Sequence, residues 1–346
     1  EVSLWETNSA TPSKTSPRTG PPAGTSASMS TMTGSASVAQ GLLTRLAHLN
    51  FSGGKISADQ ANEVNQLLQQ LREQGAAALP AIREYLQQNQ DFGFDDFAGG
   101  NLVNYGTLRL GLMDALQQIG GAEAIQLSVA TLQQTADPLE IALLSSYLES
   151  QQPGQFRQFE LAAAQEALIQ AANGQVPGRD MSPLFELLQA YGSTNIVADL
   201  EKAVSRWNYY ATLALAGLPD GAGIPTLIKL AQDPAVSSLG NGDFALRPLT
   251  QAALQYPAAA AALVDDARQN RVPEKAWPTI AAALSGSYIQ YGNQIFGTTA
   301  PAQNWSPEQI SQRIALINQM LAVTASPTGR QALQNALTSV TARLPK

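Results

Sequence analysis

The sequence predicts an all-α fold of stacked helix pairs, an α-solenoid. A loosely recurring unit runs from about residue 40 to the C-terminus, and in it two amphipathic helices flank a turn that is centred on glycine. Turns of this kind lie at Gly75, at Gly120, at Gly192 and between Gly217 and Gly221. Two helices cannot bury their apolar faces alone, so repetition implies that neighbouring units stack. We expect a right-handed superhelix of about eight helix pairs with hardly any strand.

Composition favours closely packed helices over a sheet. Apolar residues make up 44% of the chain and aromatic residues 6%, and alanine and leucine supply most of the apolar part. Both are strong helix formers, whereas strands are rich in β-branched and aromatic residues. The chain has no cysteine. Disulfides, thiolate zinc sites and a cysteine nucleophile are therefore excluded, and the redox compartment stays open.

The charge balance argues against a nucleic-acid partner. The chain has 20 lysines and arginines against 27 acidic residues, a formal net charge of −7. Nucleic-acid binding needs clustered basic side chains that release counterions, and the densest basic stretch contains only Arg268, Arg271 and Lys275. The longest apolar run, from Ala258 to Val264, is far shorter than the ~20 residues of a membrane helix. We expect the folded part to lie outside the membrane.

The sequence predicts a tail, residues 1–37, followed by one helical repeat domain, residues 38–346. The tail consists mainly of Ser, Thr, Pro and Gly and has little to bury, so it predicts a flexible linker or stalk. The chain begins with Glu1 rather than Met, and we expect a signal peptide or a membrane anchor upstream, although a shortened chain would begin in the same way. This favours an extracytoplasmic location, periplasmic or at the cell surface, and the composition is also compatible with the cytoplasm.

The first residues of the tail form a small apolar group. Val2, Leu4 and Trp5 are of the kind that anchors extended peptides in grooves. We hypothesise that they dock on a solenoid surface of the same chain or of a neighbouring subunit. Residues 11–37 would then act as a tether that raises the effective concentration of the contact.

Helix starts are marked by capping residues. Three pairs predict capping boxes, in which two side chains satisfy two free backbone N–H groups: Ser57 with Gln60, Asp137 with Glu140, and Ser306 with Gln309. Proline occupies the expected first helical position at Pro138, Pro183, Pro307 and Pro327. Between such starts, apolar residues recur every three or four positions, which predicts roughly sixteen helices.

Two segments carry a resemblance to a known family. They are LMDALQQIGGAEAIQLSVATLQQTADP and LALAGLPDGAGIPTLIKLAQDPA, each with a small-residue turn, a second helix and an Asp-Pro that starts the next unit. The chain resembles the HEAT-like family of bacterial α-solenoids, which includes the PBS-lyase type of repeat. The Asp and Arg that are frequent at the family's turn are replaced here, for instance at Gly120 and Gly121. The resemblance implies a protein that binds other proteins.

One acidic cluster could hold a metal ion. Asp91, Asp95 and Asp96 lie in a Gly-containing segment, and closely spaced carboxylates in a loop can bind Ca²⁺ or act as acid and base. The ligand order of an EF-hand is missing. We expect instead that the neighbouring phenylalanines, Phe92, Phe94 and Phe97, fill the core while the aspartates stay in solvent, and we expect no bound metal or cofactor.

Other polar residues have structural interpretations. His48 is the only histidine and lies near the end of the first helix, where it can cap the helix. One histidine without cysteine forms neither a zinc site nor a Ser-His-Asp triad. Asp265 and Asp266 are expected on an exposed helical face. The sequence therefore offers no catalytic residue.

Aromatic residues mark a candidate partner-binding surface between Ser285 and Trp305, a Gly-rich stretch that interrupts the helical pattern. Its members are Tyr288, Tyr291, Phe296 and Trp305. Long irregular segments often carry function, and Tyr and Trp are frequent at binding hot spots. Packing between repeats is the alternative. A second group, with Trp207 beginning a helix, is expected in the core.

The favoured function is a non-enzymatic interaction or scaffold protein that presents stacked helices to a protein partner. A carbohydrate-active α/α toroid is the alternative, since it also alternates helices over this length, but it needs two carboxylates and an aromatic sugar groove. A self-assembling subunit, with the tail of one copy lying on the next, is a third interpretation.

Overall fold

The computed structural model describes residues 26–88, 90–175, 178–238, 243–292, 294–297 and 304–344. Within these ranges the chain forms sixteen α-helices joined by turns and short 3-10 segments. In chain order they are α1 Ser26–Ala47, α2 Ala58–Glu73, α3 Leu79–Gln87, α4 Leu108–Ile119, α5 Gly121–Leu132, α6 Pro138–Gln151, α7 Arg157–Ala172, α8 Ser182–Tyr191, α9 Val197–Gly217, α10 Ile224–Gln232, α11 Pro234–Ser237, α12 Leu246–Ala252, α13 Pro257–Arg268, α14 Trp277–Leu284, α15 Pro307–Val323 and α16 Pro327–Thr341.

The predicted all-α class is confirmed for the described ranges. They contain no β-strand, and their β pairing consists of two isolated bridges, Lys55 with Ala98 and Gly93 with Thr107. Helix α1 begins at Ser26, inside the range predicted as tail, whereas Ala39 is the first described side chain that is buried. Among the described residues, no helix combines the length and apolar character that crossing a bilayer requires.

Two of the three predicted capping boxes form as expected. Ser57 and Gln60 exchange hydrogen bonds at the start of α2, and Ser306 and Gln309 do so at the start of α15. At the start of α6, Asp137 accepts from the backbone of Glu140 at 3.1 Å, but the Glu140 side chain does not reach back. Its carboxylate binds a buried arginine instead, so the third box is only half formed.

Helices pack against partners that are close in chain order. Helix α2 packs against α1 and α4, α6 against α5, α7 and α8, and α15 against α13 and α16. In the described part of the chain, the extensive helix–helix contacts all join helices at most three positions apart. One continuous apolar core of mainly Leu and Ala runs from Ala39 in α1 to Val340 in α16. Each helix is therefore held chiefly by its neighbours in sequence.

Polar groups enter this core at a few positions. The prediction that Asp265 and Asp266 form an exposed face is wrong for Asp266, which is 1% exposed. Its Oδ1 accepts from Arg271 Nε at 2.8 Å and from Gln232 at 3.1 Å. A buried carboxylate needs such partners because burial without them costs several kcal/mol, on the order of 3. Asp265 stays partly exposed and pairs with the same arginine.

The segment after α14 breaks the rule of near-neighbour contacts. Residues 285–292 and 294–297, which we call the return segment, pass from the end of α14 back to α8 and α9. Opposite it, α9 is kinked at Trp207, whose φ and ψ of −126° and 51° are not helical, and the Trp207 ring lies 6.0 Å from that of Phe185. The return segment therefore ties the later helices to the middle of the chain.

Candidate functional site

A buried carboxylate on α8 anchors the far end of the return segment. Glu186 is fully buried and accepts hydrogen bonds from the backbone N–H groups of Ile295 at 3.0 Å and Phe296 at 3.1 Å. The Phe296 ring lies edge-on to Tyr191 of α8, with 5.2 Å between ring centres. Charge-assisted bonds to consecutive amides are among the stronger hydrogen bonds in proteins, so this end of the segment is fixed.

Tyrosines fix the middle of the return segment. Tyr291 is 1% exposed, its hydroxyl donates to the carbonyl of Phe185 at 3.4 Å, and its ring stacks on Tyr210. Burial raises the pKa of Tyr291 well above its ordinary value, and the charge of Glu186 adds to the effect. The hydroxyl of Tyr209 donates to the carbonyl of Gln290 at 3.2 Å. Tyr291 is therefore a core residue rather than a surface anchor.

The near end of the return segment borders a cavity of about 530 Å³, which we call the glutamine groove. Its walls come from four helices and the return segment. The lining residues are Gln189 of α8; Leu213, Ala216 and Gly217 of α9; Gln251, Ala252, Leu254 and Gln255 in and after α12; Tyr288 and Ile289; and Gln309, Gln312 and Arg313 of α15. Five carboxamides and one guanidinium thus surround a floor of aliphatic side chains.

Several of these carboxamides have hydrogen-bonding capacity left. The side chains of Gln255 and Gln312 are exposed and form no hydrogen bond within the described residues, and the buried Oε1 of Gln189 has no partner there. Gly217 makes room for Gln189, because a Cβ atom at that position would overlap its carboxamide. A buried amide oxygen requires a hydrogen-bond donor, so Gln189 is able to accept from a group that enters the groove.

A second cavity, of about 380 Å³, lies on the other side of Tyr288. Its walls include residues 285–287, Trp305 and Arg343. Gly286 has a φ of +106°, and a Cβ atom there would meet the Trp305 ring, so glycine is required at this turn. Tyr288, which is half-buried, is a wall of both cavities.

Three arginines lie near Tyr288, and we call Arg247, Arg313 and Arg343 the arginine cluster. Arg247 and Arg313 donate hydrogen bonds to Tyr288, and Arg343 lines the second cavity with it. Arg247 Nη2 donates to Ser287 Oγ at 3.2 Å and to the Tyr288 carbonyl at 3.4 Å. Arg313 Nη1 donates to the carbonyls of Ala283 and Leu284, at 3.3 and 2.8 Å, and caps the end of α14. Its Nη2 donates to the Tyr288 hydroxyl at 3.3 Å.

Trp305 lies against two members of this cluster. The guanidinium carbons of Arg313 and Arg343 are 3.8 and 4.2 Å from the centre of its ring, within cation–π distance. Burial lowers the pKa of Arg313, and the charge of Arg343 lowers it further. Among the described residues, no carboxylate forms a salt bridge with any of the three arginines. Within the described chain, the cluster is therefore a positive site without an ion-pair partner, in a protein of net charge −7.

A different arginine shows how this chain neutralises a buried guanidinium. Arg109 Nε and Nη2 donate to the two carboxylate oxygens of Glu140 at 2.7 and 3.0 Å, and Nη1 donates to the Leu86 carbonyl at 2.9 Å. Burial lowers the pKa of Arg109, but the bonds and charge of Glu140 outweigh burial and raise it overall. The pair is a complete structural ion pair between α4 and α6.

The predicted site residues fall into three groups. Tyr288 and Trp305 line the cavities, while Tyr291 and Phe296 anchor the return segment. Val2, Leu4 and Trp5 lie outside the described residues.

The acidic cluster near α3 forms a folded loop. Asp91, Asp95 and Asp96 are exposed, and Asp91 Oδ1 accepts from the backbone of Phe92 at 2.8 Å and of Arg109 at 3.1 Å. Phe92, Phe94 and Phe97, which neighbour these aspartates in the sequence, pack together with Phe51, as expected. In the described ranges, no group of three or more His, Asp or Glu side chains is placed to hold a metal ion. His48 caps α1, with Nδ1 2.8 Å from the Thr44 carbonyl.

A carboxyl group on α7 is buried away from both cavities. Glu160 is fully buried, and neither carboxylate oxygen has a hydrogen-bond partner among the described residues. Burial raises its pKa to about 7, the charge of Glu149 adds to the rise, and Arg157 opposes it.

Sequence reasoning missed the arginine cluster, Glu186 and the groove glutamines. A usable signal was present for two of them, because Arg313 and Glu186 interrupt apolar stripes of predicted helices, IALI after Arg313 and LF before Glu186. A charge at a core position requires a partner. The glutamines gave no signal, since they are common on exposed helix faces throughout this chain.

Comparison of the chain with protein-family models, with curated proteins and with solved structures finds no match.

Proposed function

We propose that this protein is a non-enzymatic interaction protein, a HEAT-like α-solenoid that binds an extended polypeptide segment in the glutamine groove. The observation that carries the proposal is the lining of the groove, which combines an aliphatic floor with two carboxamides, Gln255 and Gln312, that form no hydrogen bond within the described chain. The proposal covers one continuous solenoid of about eight helix pairs with a right-handed superhelix.

Carboxamides suit the backbone of an extended segment. Each has one acceptor oxygen and two N–H donors, the same groups that a peptide bond offers and requires. Gln255 and Gln312 are free to form such bonds because they form none within the described chain. Leu213, Leu254 and Ile289 offer apolar contact to alternate side chains of the segment. Backbone hydrogen bonds would supply affinity, and the floor would supply specificity.

The packing of the helices supports the solenoid part of the proposal. Contacts confined to near neighbours in chain order are the pattern of a stacked repeat array, in which each unit is stabilised by the next. The return segment adds a wall to one side of the stack. A carbohydrate-active toroid needs two carboxylates about 5 to 10 Å apart. Among the described residues, the lining of the glutamine groove includes no carboxylate.

The occupant that we propose is the N-terminal segment of a second copy, with Val2, Leu4 and Trp5 on the aliphatic floor. A second copy is favoured over the same chain because α1 packs against α2 and α3, whereas α8, α9, α12 and α15 build the groove. The helices that build the groove therefore come at least seven positions after α1 in the helix order. Such head-to-tail contacts generate an assembly, which we place outside the cytoplasm on the strength of the Ser/Thr/Pro-rich tail.

Sedimentation velocity of the full chain and of a chain lacking residues 1–10 tests this function. We expect concentration-dependent self-association of the full chain, and its loss in the truncated chain with the helical circular dichroism unchanged. The double variant Gln255→Ala/Gln312→Ala should weaken association equally without loss of stability, since neither side chain has an internal partner. A matched double variant at exposed positions of α2 and α16, Gln69→Ala/Gln331→Ala, is the control. Equal sedimentation of all four chains would refute the proposal.

A further inference from the structure

Within the described chain, Arg313, the buried member of the arginine cluster, lacks the counter-charge that a buried guanidinium group requires. Arg313 and Arg109 are each 5% exposed, and in Arg109 the two carboxylate oxygens of Glu140 occupy Nε and Nη2. In Arg313, Nε has no partner in the described chain, and Nη2 has only the hydroxyl of Tyr288. A buried charge without a partner destabilises a fold, so such a site persists where a ligand completes it.

The charged groups near Arg313 add further positive charge and do not offset it. The guanidinium carbon of Arg343 lies 4.2 Å from the centre of the Trp305 ring that Arg313 also contacts. Arg247 donates to the Tyr288 carbonyl, and its own Nε is buried and has no partner in the described chain. Arg313 thus lines the glutamine groove and Arg343 lines the second cavity, and Tyr288 is a wall of both. Long-range attraction by the rest of the chain is absent for an anion, because the net charge is −7, so recognition must come from this cluster.

We propose that the arginine cluster binds a carboxylate group of the segment that occupies the glutamine groove, an inference that rests on the proposed function. In the assembly of this chain, the carboxylates are Glu1 and Glu6, which flank Val2, Leu4 and Trp5. An extended segment of six residues spans up to about 20 Å. Its apolar side chains would lie on the floor of the groove, with an acidic side chain at the end where Arg313 and Arg343 lie.

Carboxylate recognition follows from guanidinium chemistry. The planar guanidinium offers parallel N–H donors that match the two oxygens of a carboxylate, and such charge-assisted bonds are roughly twice as strong as neutral ones. A neutral carboxamide of the same size offers one oxygen and no charge. Exchange of Glu for Gln in the segment therefore removes the recognised group and leaves the backbone and the apolar contacts unchanged.

Two synthetic peptides test the inference. The first has the sequence of residues 1–10, EVSLWETNSA, and the second carries glutamine at positions 1 and 6. Both are acetylated at the N-terminus and carry a fluorescent label on the C-terminal amide. Fluorescence anisotropy against the chain lacking residues 1–10 measures each affinity. We expect the acidic peptide to bind about tenfold more tightly or better, and the difference to shrink as salt rises.

Variants of the arginine cluster test whether the preference for the acidic peptide arises there. Arg343→Gln should reduce the preference for the acidic peptide about threefold to fivefold, and it removes an exposed side chain that forms no hydrogen bond in the described chain. Arg313→Gln should abolish the preference. Arg83→Gln, which removes the same charge from an exposed pair on α3, should change nothing. Retention of the preference in Arg343→Gln and Arg313→Gln overturns the inference.

The outcomes separate this inference from the proposed function. If both peptides bind equally and Gln255→Ala/Gln312→Ala weakens both, the groove binds a segment and the carboxylate site is wrong. If neither peptide binds, the proposed function and the inference both fall. If the acidic peptide alone binds and the arginine variants remove its advantage, both stand.

Discussion

Arg313 and Arg109 are buried to the same extent, at 5% exposure each, yet among the described residues only Arg109 has a carboxylate within ion-pair distance. The difference marks one arginine as part of the scaffold and the other as part of a site. Glu140 completes Arg109 within the chain, whereas Arg313 borders a cavity that an incoming group can enter. The behaviour of the two positions under mutation should differ accordingly.

The Arg109–Glu140 pair should be strongly coupled. Glu140→Gln leaves a buried positive charge without its partner, and we expect the free energy of unfolding to fall by about 3 to 5 kcal/mol. Urea denaturation followed by circular dichroism measures it. Glu63→Gln, which breaks the exposed Arg45–Glu63 pair, is the control and should cost at most about 1 kcal/mol. Equal losses in the two variants would show that Arg109 does not depend on Glu140.

Glu160 should make the protein less stable as the pH rises from about 4.5 to about 7. Its folded pKa of about 7 lies above the unfolded value, so the folded state binds more protons in this window. The stabilisation by the protonated group is complete below the window and is lost through it. Glu160→Gln should remove this part of the pH dependence and raise the unfolding free energy at pH 8 by on the order of 1 to 3 kcal/mol. Thermal melts between pH 4 and 8 measure both, and parallel curves for the two chains would contradict the assignment.

Glu186 should control the order of the return segment. Glu186→Ala removes the acceptor of two backbone N–H groups, so amide exchange at Ile295 and Phe296 should accelerate about tenfold or more. Hydrogen exchange with mass spectrometry resolves this region. In Glu166→Ala, which removes an exposed carboxylate of α7, these amides should exchange at the original rate. Unchanged exchange in Glu186→Ala would mean that the tyrosine contacts suffice.

Chelation should leave the protein unaffected. Asp91 is engaged by backbone amides, and Asp95 and Asp96 are exposed, so we expect the same Tm with EDTA and with millimolar CaCl₂. Differential scanning calorimetry measures it. A rise of Tm with calcium that EDTA reverses would establish the aspartate cluster as a calcium site.

Local signals in the sequence predicted local structure well. The boxes at Ser57 and Ser306 formed because both partners lie within one helical turn and nothing competes for them. The box at Asp137 failed because Arg109, 31 residues away from Glu140, competes for the carboxylate. Asp266 is buried for the same kind of reason, with Arg271 as its partner. The charge partner decides such side chains, whether it is distant in sequence, as for Glu140, or five residues away, as for Asp266, and the apolar pattern does not show which pair forms.

The arrangement of the candidate site was harder to predict than the helix caps, because it depends on contacts between residues that are far apart in the sequence. The aromatic stretch from residue 285 was identified as irregular, and Tyr288 and Trp305 do line the cavities. Its contact site on α8, more than a hundred residues earlier, depends on Glu186 and Phe185. Glu186 interrupts an apolar stripe and so indicates a partner, but the sequence does not show which residues that partner is. The groove itself exists only where four helices and this segment meet.

Cysteine cross-linking tests the central claim most directly, since the chain has no cysteine of its own and an engineered pair reports only on itself. One chain carries Thr7→Cys beside the proposed docking segment, and a second carries Gln312→Cys in the groove. Mixed and mildly oxidised, they should form a disulfide-linked dimer at least tenfold faster than Thr7→Cys with Gln331→Cys on the exposed face of α16. Equal rates for the two mixtures, or no dimer in either, would contradict a groove that receives the N-terminal segment of a second copy.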